Sequence, residues 1–327
     1  MPKLSVVVPF YNVRPFAPDL LRGLTNNAAP GTEFILVDDH STDGTTEVLG
    51  DWQRQQAHRQ PGSATLIRHE SNQGIAQARN TGLDAARGEY VTFLDGDDWY
   101  RPGYLAELVA DIERLDCDFV RTSHIQATGR QRLLKRPSAS LWDTVLHPRD
   151  GIVPAQEETM VDYPFVWAGI YRGGLFQNGG MRYATGLRTA EDREWIWRLH
   201  LTAGSFAVTR TVGTFYRRGV SSSLTQIRDG RQLDFMPAHD AILDDVTGDH
   251  EAERFLPKIV RTYCALIAFH MSNSGNYQSG IARKLKQNAS AAMARMPQQV
   301  LDRTLEEMDL QRADVLRRLR GDMKKAA

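Results

Sequence analysis

Apolar residues in the first hundred positions come in short blocks separated by polar loops. Leu4 to Val8, Phe34 to Val37, Ala64 to Arg68 and Tyr90 to Leu94 predict strands, of which Phe34 to Val37 and Tyr90 to Leu94 read as buried. Phe16 to Leu24 instead carries apolar residues at helical spacing, and a further helix is expected to start near Thr45. Strand, helix, strand in this order predicts an α/β fold with a mostly parallel sheet, which binds ligands beyond the carboxyl ends of its strands. Pro9 is expected to end the first strand, because proline has no N–H to give a central ladder. Further on, the pattern predicts a helix over Tyr104 to Leu115 and strands over Asp118 to Thr122 and Thr211 to Tyr216. From about Arg228 the texture becomes helical, with Arg254 to Met271 amphipathic around Phe255, Leu256, Ile259, Tyr263, Ile267 and Phe269. The expected organisation is an α/β domain over 1–227 and a helical region over 228–327.

Composition narrows the classes. Forty basic residues balance forty acidic ones, so nothing in the overall charge points to nucleic acid. Two distant cysteines, Cys117 and Cys264, form no metal-binding spacing and read as core thiols of a reducing compartment. No apolar stretch is long enough for a leader or a membrane span, so a cytoplasmic location is expected, with peripheral attachment at the inner face of the membrane left open. Arg317, Arg318, Arg320, Lys324 and Lys325 form a basic tail, read either as a solvated end or as a contact for anionic lipid. The amphipathic helices can pack on their own domain or form a homo-oligomer face.

The chemistry concentrates in polar loops after the predicted strands. In Phe93-Leu94-Asp95-Gly96-Asp97-Asp98-Trp99, Asp95 and Asp97 straddle a glycine that permits a sharp turn and close ligand approach. Carboxylates this dense repel unless held by donors or a cation, which suggests Mn²⁺ or Mg²⁺ with oxygen ligands. Asp98 has a second reading as the cap of a following helix. Asp39, Ser41, Asp43 and Gly44 match the start of a calcium-binding loop, but Gly50 stands where a bidentate Glu is required. Asp43 is therefore expected to cap the helix from Thr45, leaving Asp38 and Asp39 as ligands. Asn72 to Gly82 reads as a helix of small residues lying close to sheet or ligand, with Arg79 either an anion clamp or a structural ion-pair partner. Trp167, in the aromatic stretch Tyr163 to Tyr171, reads as core packing or as a sugar-stacking ring. Thr189 and Asp192 have the spacing of a capping box.

Four segments, VVVPFYN (Val6–Asn12), VDDHSTDGT (Val37–Thr45), NQGIAQARNTG (Asn72–Gly82) and FLDGDDW (Phe93–Trp99), together resemble the nucleotide-sugar glycosyltransferases of the GT-A fold, family 2. The resemblance implies a Rossmann-like sheet flanked by helices and an inverting, metal-dependent transfer of a hexosyl or N-acetylhexosaminyl group from a UDP-sugar to an acceptor hydroxyl. It implies that Pro9, Tyr11 and Asp39 line the nucleotide site, Tyr11 and Asp39 receiving the base. It makes Asp95-Gly96-Asp97 the DxD element, with the metal on Asp97 and Asp95, and puts Arg79 and Arg217 beside the diphosphate. The Glu191-Asp192 pair places the catalytic base at Asp192, where a helix dipole is expected to keep the carboxylate ionised. A loop from Arg217 to Ser223 is implied to fold over the diphosphate; it has no histidine to complete the metal shell, so water is expected there. The polar, basic segment Thr128 to Gln156 is expected to shape the acceptor side. Arg188 to Asp192 looks most like enzymes of bacterial surface polymers such as teichoic acid or capsule, which implies a glycan, polyol-phosphate or lipid-linked acceptor. The resemblance does not reach the helical end. A nucleotidyltransferase is disfavoured because Pro9-Phe10-Tyr11-Asn12 replaces a glycine-rich loop, an NAD site because no GxGxxG follows Val8, and a silent binding module because Asp95, Asp97 and Asp192 occur together.

Overall fold

The computed structural model describes residues 1–59, 62–219 and 230–326. Four parallel strands form one half of a mixed sheet: β1 (Leu4–Phe10), β2 (Thr32–Asp38), β3 (Ser63–Arg68) and β4 (Tyr90–Phe93), in the order β3-β2-β1-β4. Their crossovers are α1 (Ala17–Thr25), α2 (Thr45–Arg59) and α3 (Ile75–Ala85). The other half comprises β5 (Trp99–Tyr100), β6 (Phe119–Thr128), β7 (Gln131–Lys135), β8 (Gly169–Arg172) and β9 (Phe206–Arg217), with helices α4 (Tyr104–Leu115) and α5 (Glu191–Thr202). The order continues β4-β8-β6-β9-β5, with β7 pairing on β6.

Alternation along the buried strands divides the core. Leu4, Val6, Val8, Phe34 and Leu36 face α1, α2 and α4, while Val7, Ile35 and Val37 face α3 and α5. Gly82 of α3 lies so near β1 that a Cβ there would sit 2.3 Å from Val7 Cγ1, which explains the small-residue helix.

Several sequence expectations are corrected. β1 runs through Pro9, which stays in register with Val37. The ladder to β4 stops at Val7, so the missing Pro9 N–H falls where no strand partner asks for it. β6 continues to Thr128, well past Thr122; buried Arg121 and His124 interrupt its apolar pattern and concealed the extension. Arg121 donates to the Tyr171 hydroxyl at 2.7 Å and to the Tyr163 carbonyl at 2.8 Å. Trp167 is 3% exposed and packs among Phe165, Tyr216 and His124, so it belongs to the core.

Five helices, α6 (Phe235–Thr247), α7 (Ala252–Ser272), α8 (Ser279–Arg295), α9 (Gln298–Glu307) and α10 (Leu310–Ala326), make the C-terminal region. Phe255, Ile259, Tyr263, Leu285, Leu301 and Leu316 share one core with Trp197 and Leu201 of α5. The helices thus pack on the chain's own α/β part, and Arg149 clamps Asp249 and Glu251 at 2.8 and 2.9 Å across that contact. Phe269, counted in the apolar face of α7, is instead exposed. Both residues of the boundary expected at 227/228 lie outside the described residues. Among the described residues no helix is long and apolar enough to cross a membrane.

Candidate active site

The loops that leave β1, β2 and β4 meet at one sheet edge. Asn12, at φ 52°, accepts the Thr42 amide at 2.8 Å and donates its own amide to Ser41 Oγ at 3.0 Å. Asp43 accepts the Thr45 amide at 3.0 Å at the start of α2, and the Arg14 amide at 3.0 Å. Tyr11, between these loops, is half exposed. Asp38 and Asp39 are turned inward. Asp38 takes the Ser41 amide and the Thr46 hydroxyl, so its expected ligand role is corrected to a structural one. Asp39 accepts the Gln73 and Gly74 amides, each at 2.8 Å, and lies 2.7 Å from His69 Nδ1. It therefore holds the loop that launches α3 against the end of β2. Pro9 lies one residue from the end of β1, and the turn after β4 crosses it closely: a Cβ on Gly96 would stand 2.9 Å from the Pro9 carbonyl oxygen. Only glycine fits between Asp95 and Asp97 without moving that backbone.

Arg79 ties this edge to α5. The side chain is buried, and its guanidinium gives one N–H to Asp95 Oδ1 at 2.8 Å and another to Glu191 Oε1 at 2.7 Å, while lying over the Tyr183 ring at 5.1 Å. Burial works against its charge, but Asp95, Tyr183 and Glu191 outweigh that and raise its pKa. The expected role beside the diphosphate is thus corrected: Arg79 is a carboxylate bridge inside the protein. Asn80 reinforces it, exchanging side-chain hydrogen bonds of 2.9 Å with both the carbonyl and the amide of Tyr183. This bracket of Arg79, Glu191 and Tyr183 escaped sequence reasoning. The available signal was an arginine on a buried small-residue helix with no acidic residue three or four positions away.

The two acidic segments are left with carboxyl groups of raised pKa. Burial, then the charge of Asp95, lifts Asp97 to about 6, and among the described residues no side-chain donor reaches its carboxylate. Burial, then Glu191, lifts Asp192 to about 7. The expectation that Asp192 is kept fully ionised is corrected: burial beside Glu191 raises its pKa. The predicted capping box is also absent, since Ala190 occupies the cap at φ 64° and Thr189 Oγ1 donates to the Arg231 carbonyl at 2.8 Å. Asp98 caps no helix, because β5 follows it directly. Its Oδ1 accepts the Arg217 amide at 2.7 Å, its Oδ2 is buried without a partner among the described residues, and burial followed by Asp97 and Asp95 pushes its pKa well up, which disfavours the charged form.

Arg217 closes the site from β9. Its Nε donates to the Asp97 carbonyl at 2.9 Å, its Nη2 pairs with Asp19 at 3.0 Å, and the guanidinium lies 4.5 Å from the centre of Trp99. It lines a groove of about 530 Å³ with Phe16, Trp99, Arg132 and Arg218. Val220 to Ser223, expected to fold over the diphosphate, lie outside the described residues. An Mn²⁺ or Mg²⁺ ion fits the chemistry at Asp97: a carboxylate buried beside another negative group, lacking a side-chain donor, is stabilised in its charged form by a hard cation.

Comparisons with known proteins agree with this geometry. The family model "Glycosyl transferase family 2" matches residues 5–210. The glycosyltransferase EpsJ of Bacillus subtilis is 29% identical over 194 residues, which is 59% of this chain and 54% of EpsJ. The poly(ribitol-phosphate) beta-N-acetylglucosaminyltransferase TarS of Staphylococcus aureus is 28% identical over 222 residues, 66% of this chain and 35% of TarS. The chain thus spans little more than half the length of one relative and about a third of the other. The crystal structure of S. aureus TarS 1–349 in complex with UDP-GlcNAc superposes with a TM-score of 0.74 at 19% identity, over 99% of this chain and 92% of that one. The shared fold includes the C-terminal helices, beyond the end of the family match. The chain belongs to glycosyl transferase family 2.

Proposed function

We propose that this family 2 chain is an inverting, metal-dependent glycosyltransferase that moves a sugar from a UDP-sugar to a hydroxyl of a bacterial surface glycan or polyol-phosphate polymer. The observation that carries the reading is the Arg79 bracket, which holds the Asp95-Gly96-Asp97 turn and the Glu191-Asp192 helix start together at the sheet edge. TarS, named for N-acetylglucosaminyl transfer to poly(ribitol-phosphate) and solved with UDP-GlcNAc, makes an N-acetylhexosamine donor and a polyol-phosphate acceptor the first pair to test.

Tyr11 offers an exposed ring to the base, on an edge that Asp39 and Asn12 hold in shape. Asp97, with Asp95 beside it, would hold Mn²⁺ or Mg²⁺, which supplies neutralising charge to the leaving diphosphate. Arg217 fixes the Asp97 carbonyl and adds positive charge at the rim of the groove. Asp192 takes the proton of the acceptor hydroxyl as its oxygen attacks the anomeric carbon from the side opposite the departing diphosphate, which inverts that centre. A pKa of about 7 suits this, because the base has to be ionised at the start of a turnover and protonated at its end.

Calorimetric titration of UDP-GlcNAc, UDP-glucose and UDP-galactose, each with Mn²⁺ and with EDTA, tests the donor half. Binding of one UDP-sugar that needs Mn²⁺ and disappears in Asp97→Ala is expected. Binding unchanged by EDTA and by that substitution would remove metal dependence from the account.

A further inference from the structure

We propose that the hairpin of β6 and β7, with the turn that follows it, docks the chain on an anionic lipid bilayer. Of the eight large hydrophobic side chains exposed among the described residues, four lie within this short segment: Leu133, Leu134, Leu141 and Val145. Every residue from Thr128 to Arg136 is exposed, and Arg130, Arg132, Lys135 and Arg136 interleave with the two leucines. No acidic residue occurs between Asp118 and Asp143, although the chain as a whole is neutral. Asp143 is itself held by Arg114 at 3.1 Å and Arg210 at 3.5 Å. Among the described residues none of the four hairpin cations has an acidic partner, and Arg132 donates to the Gly129 and Gln131 carbonyls.

The arrangement selects a bilayer over a protein groove. Leu133 and Leu134 are adjacent in a strand and so project from opposite faces of the ribbon. A headgroup layer surrounds a projecting ribbon and receives both, with the long basic side chains reaching lipid phosphates, whereas a protein groove covers one face. Among the described residues β7 pairs with β6 alone, which leaves its outer edge open there, and a strand-adding protein is the competing occupant. The basic tail is the weaker docking element: Arg317 is bonded to the Leu305 carbonyl and Arg320 to Asp302. Arg132 also lines the groove beside Asp97, so, on the functional reading above, docking sets the acceptor side against the surface that carries lipid-linked chains.

The test is cosedimentation of the full chain with vesicles of phosphatidylcholine alone and of phosphatidylcholine mixed with an equal amount of phosphatidylglycerol, at low and high salt. Binding to the mixed vesicles alone, released by salt, is expected. Arg130→Gln/Lys135→Gln/Arg136→Gln should weaken it by about fivefold per cation removed. Leu133→Ser/Leu134→Ser should weaken it several-fold with unchanged circular dichroism, and Arg317→Gln/Arg318→Gln/Arg320→Gln should leave it intact. Wild-type protein that ignores mixed vesicles overturns the proposal and leaves the open edge to a protein strand. Binding that survives both hairpin variants, or is lost only in the tail variant, overturns it equally.

Discussion

Arg79 takes one carboxylate from each of two acidic pairs, and the pairs differ in what remains. In the turn after β4 it engages Asp95 and leaves Asp97, at about 6, ionised at neutral pH and beside a negative neighbour. At the start of α5 it engages Glu191 and leaves Asp192, at about 7, near the midpoint of its titration. Burial is the first cause of both shifts, and a like-charged neighbour, Asp95 for Asp97 and Glu191 for Asp192, is the second.

The comparison breaks most sharply at Asp192. Asp192→Asn should lower turnover by about 10²–10⁴ with donor affinity held within a few-fold, read by steady-state kinetics beside calorimetry. Equal loss of donor affinity would make Asp192 part of the donor site and erase the distinction. Next comes the bracket. Arg79→Ala leaves buried Glu191 and half-buried Asp95 without their cation and should cost about 3–5 kcal/mol of stability in denaturant unfolding. Arg79→Lys should restore charge without the two-sided bridge and fall between. The smallest effect concerns Asp98, whose charged form burial disfavours and whose shape Asn reproduces without a charge. Its folded pKa lies above the unfolded value, so the folded state binds the extra proton and stability falls as pH rises from 3.8 toward the folded pKa. Asp98→Asn should therefore show a Tm advantage that grows with pH, by roughly 2–4 °C for each kcal/mol of desolvation relieved. An advantage that is constant with pH would mean that Asp98 is not held protonated.

Much of the parallel half was legible because β1, β2 and β4 are buried on both faces and read as unbroken apolar runs, each ending in a polar loop. Asp95, Asp97 and Asp192 could be singled out because dense carboxylates need a physical reason. The partner of Arg79 was not legible, since Glu191 lies 112 positions away and only the fold brings them together. β7 was lost because an exposed edge ribbon of arginines and leucines has neither a strand alternation nor a helical repeat. Asp98 misled for a different reason: an aspartate after a glycine turn looks like a cap, and only the pairing of β5 with β9 reveals that it receives the Arg217 amide instead.

The most direct test of the division between the two pairs is the pH dependence of kcat for sugar transfer at saturating Mn²⁺ and donor, in wild type and in Asp192→Asn. The account predicts a wild-type rate that rises with pH, bends near 7 and levels off above it, with that bend absent from the residual activity of Asp192→Asn. The same bend in both proteins would contradict it and place the titrating base elsewhere.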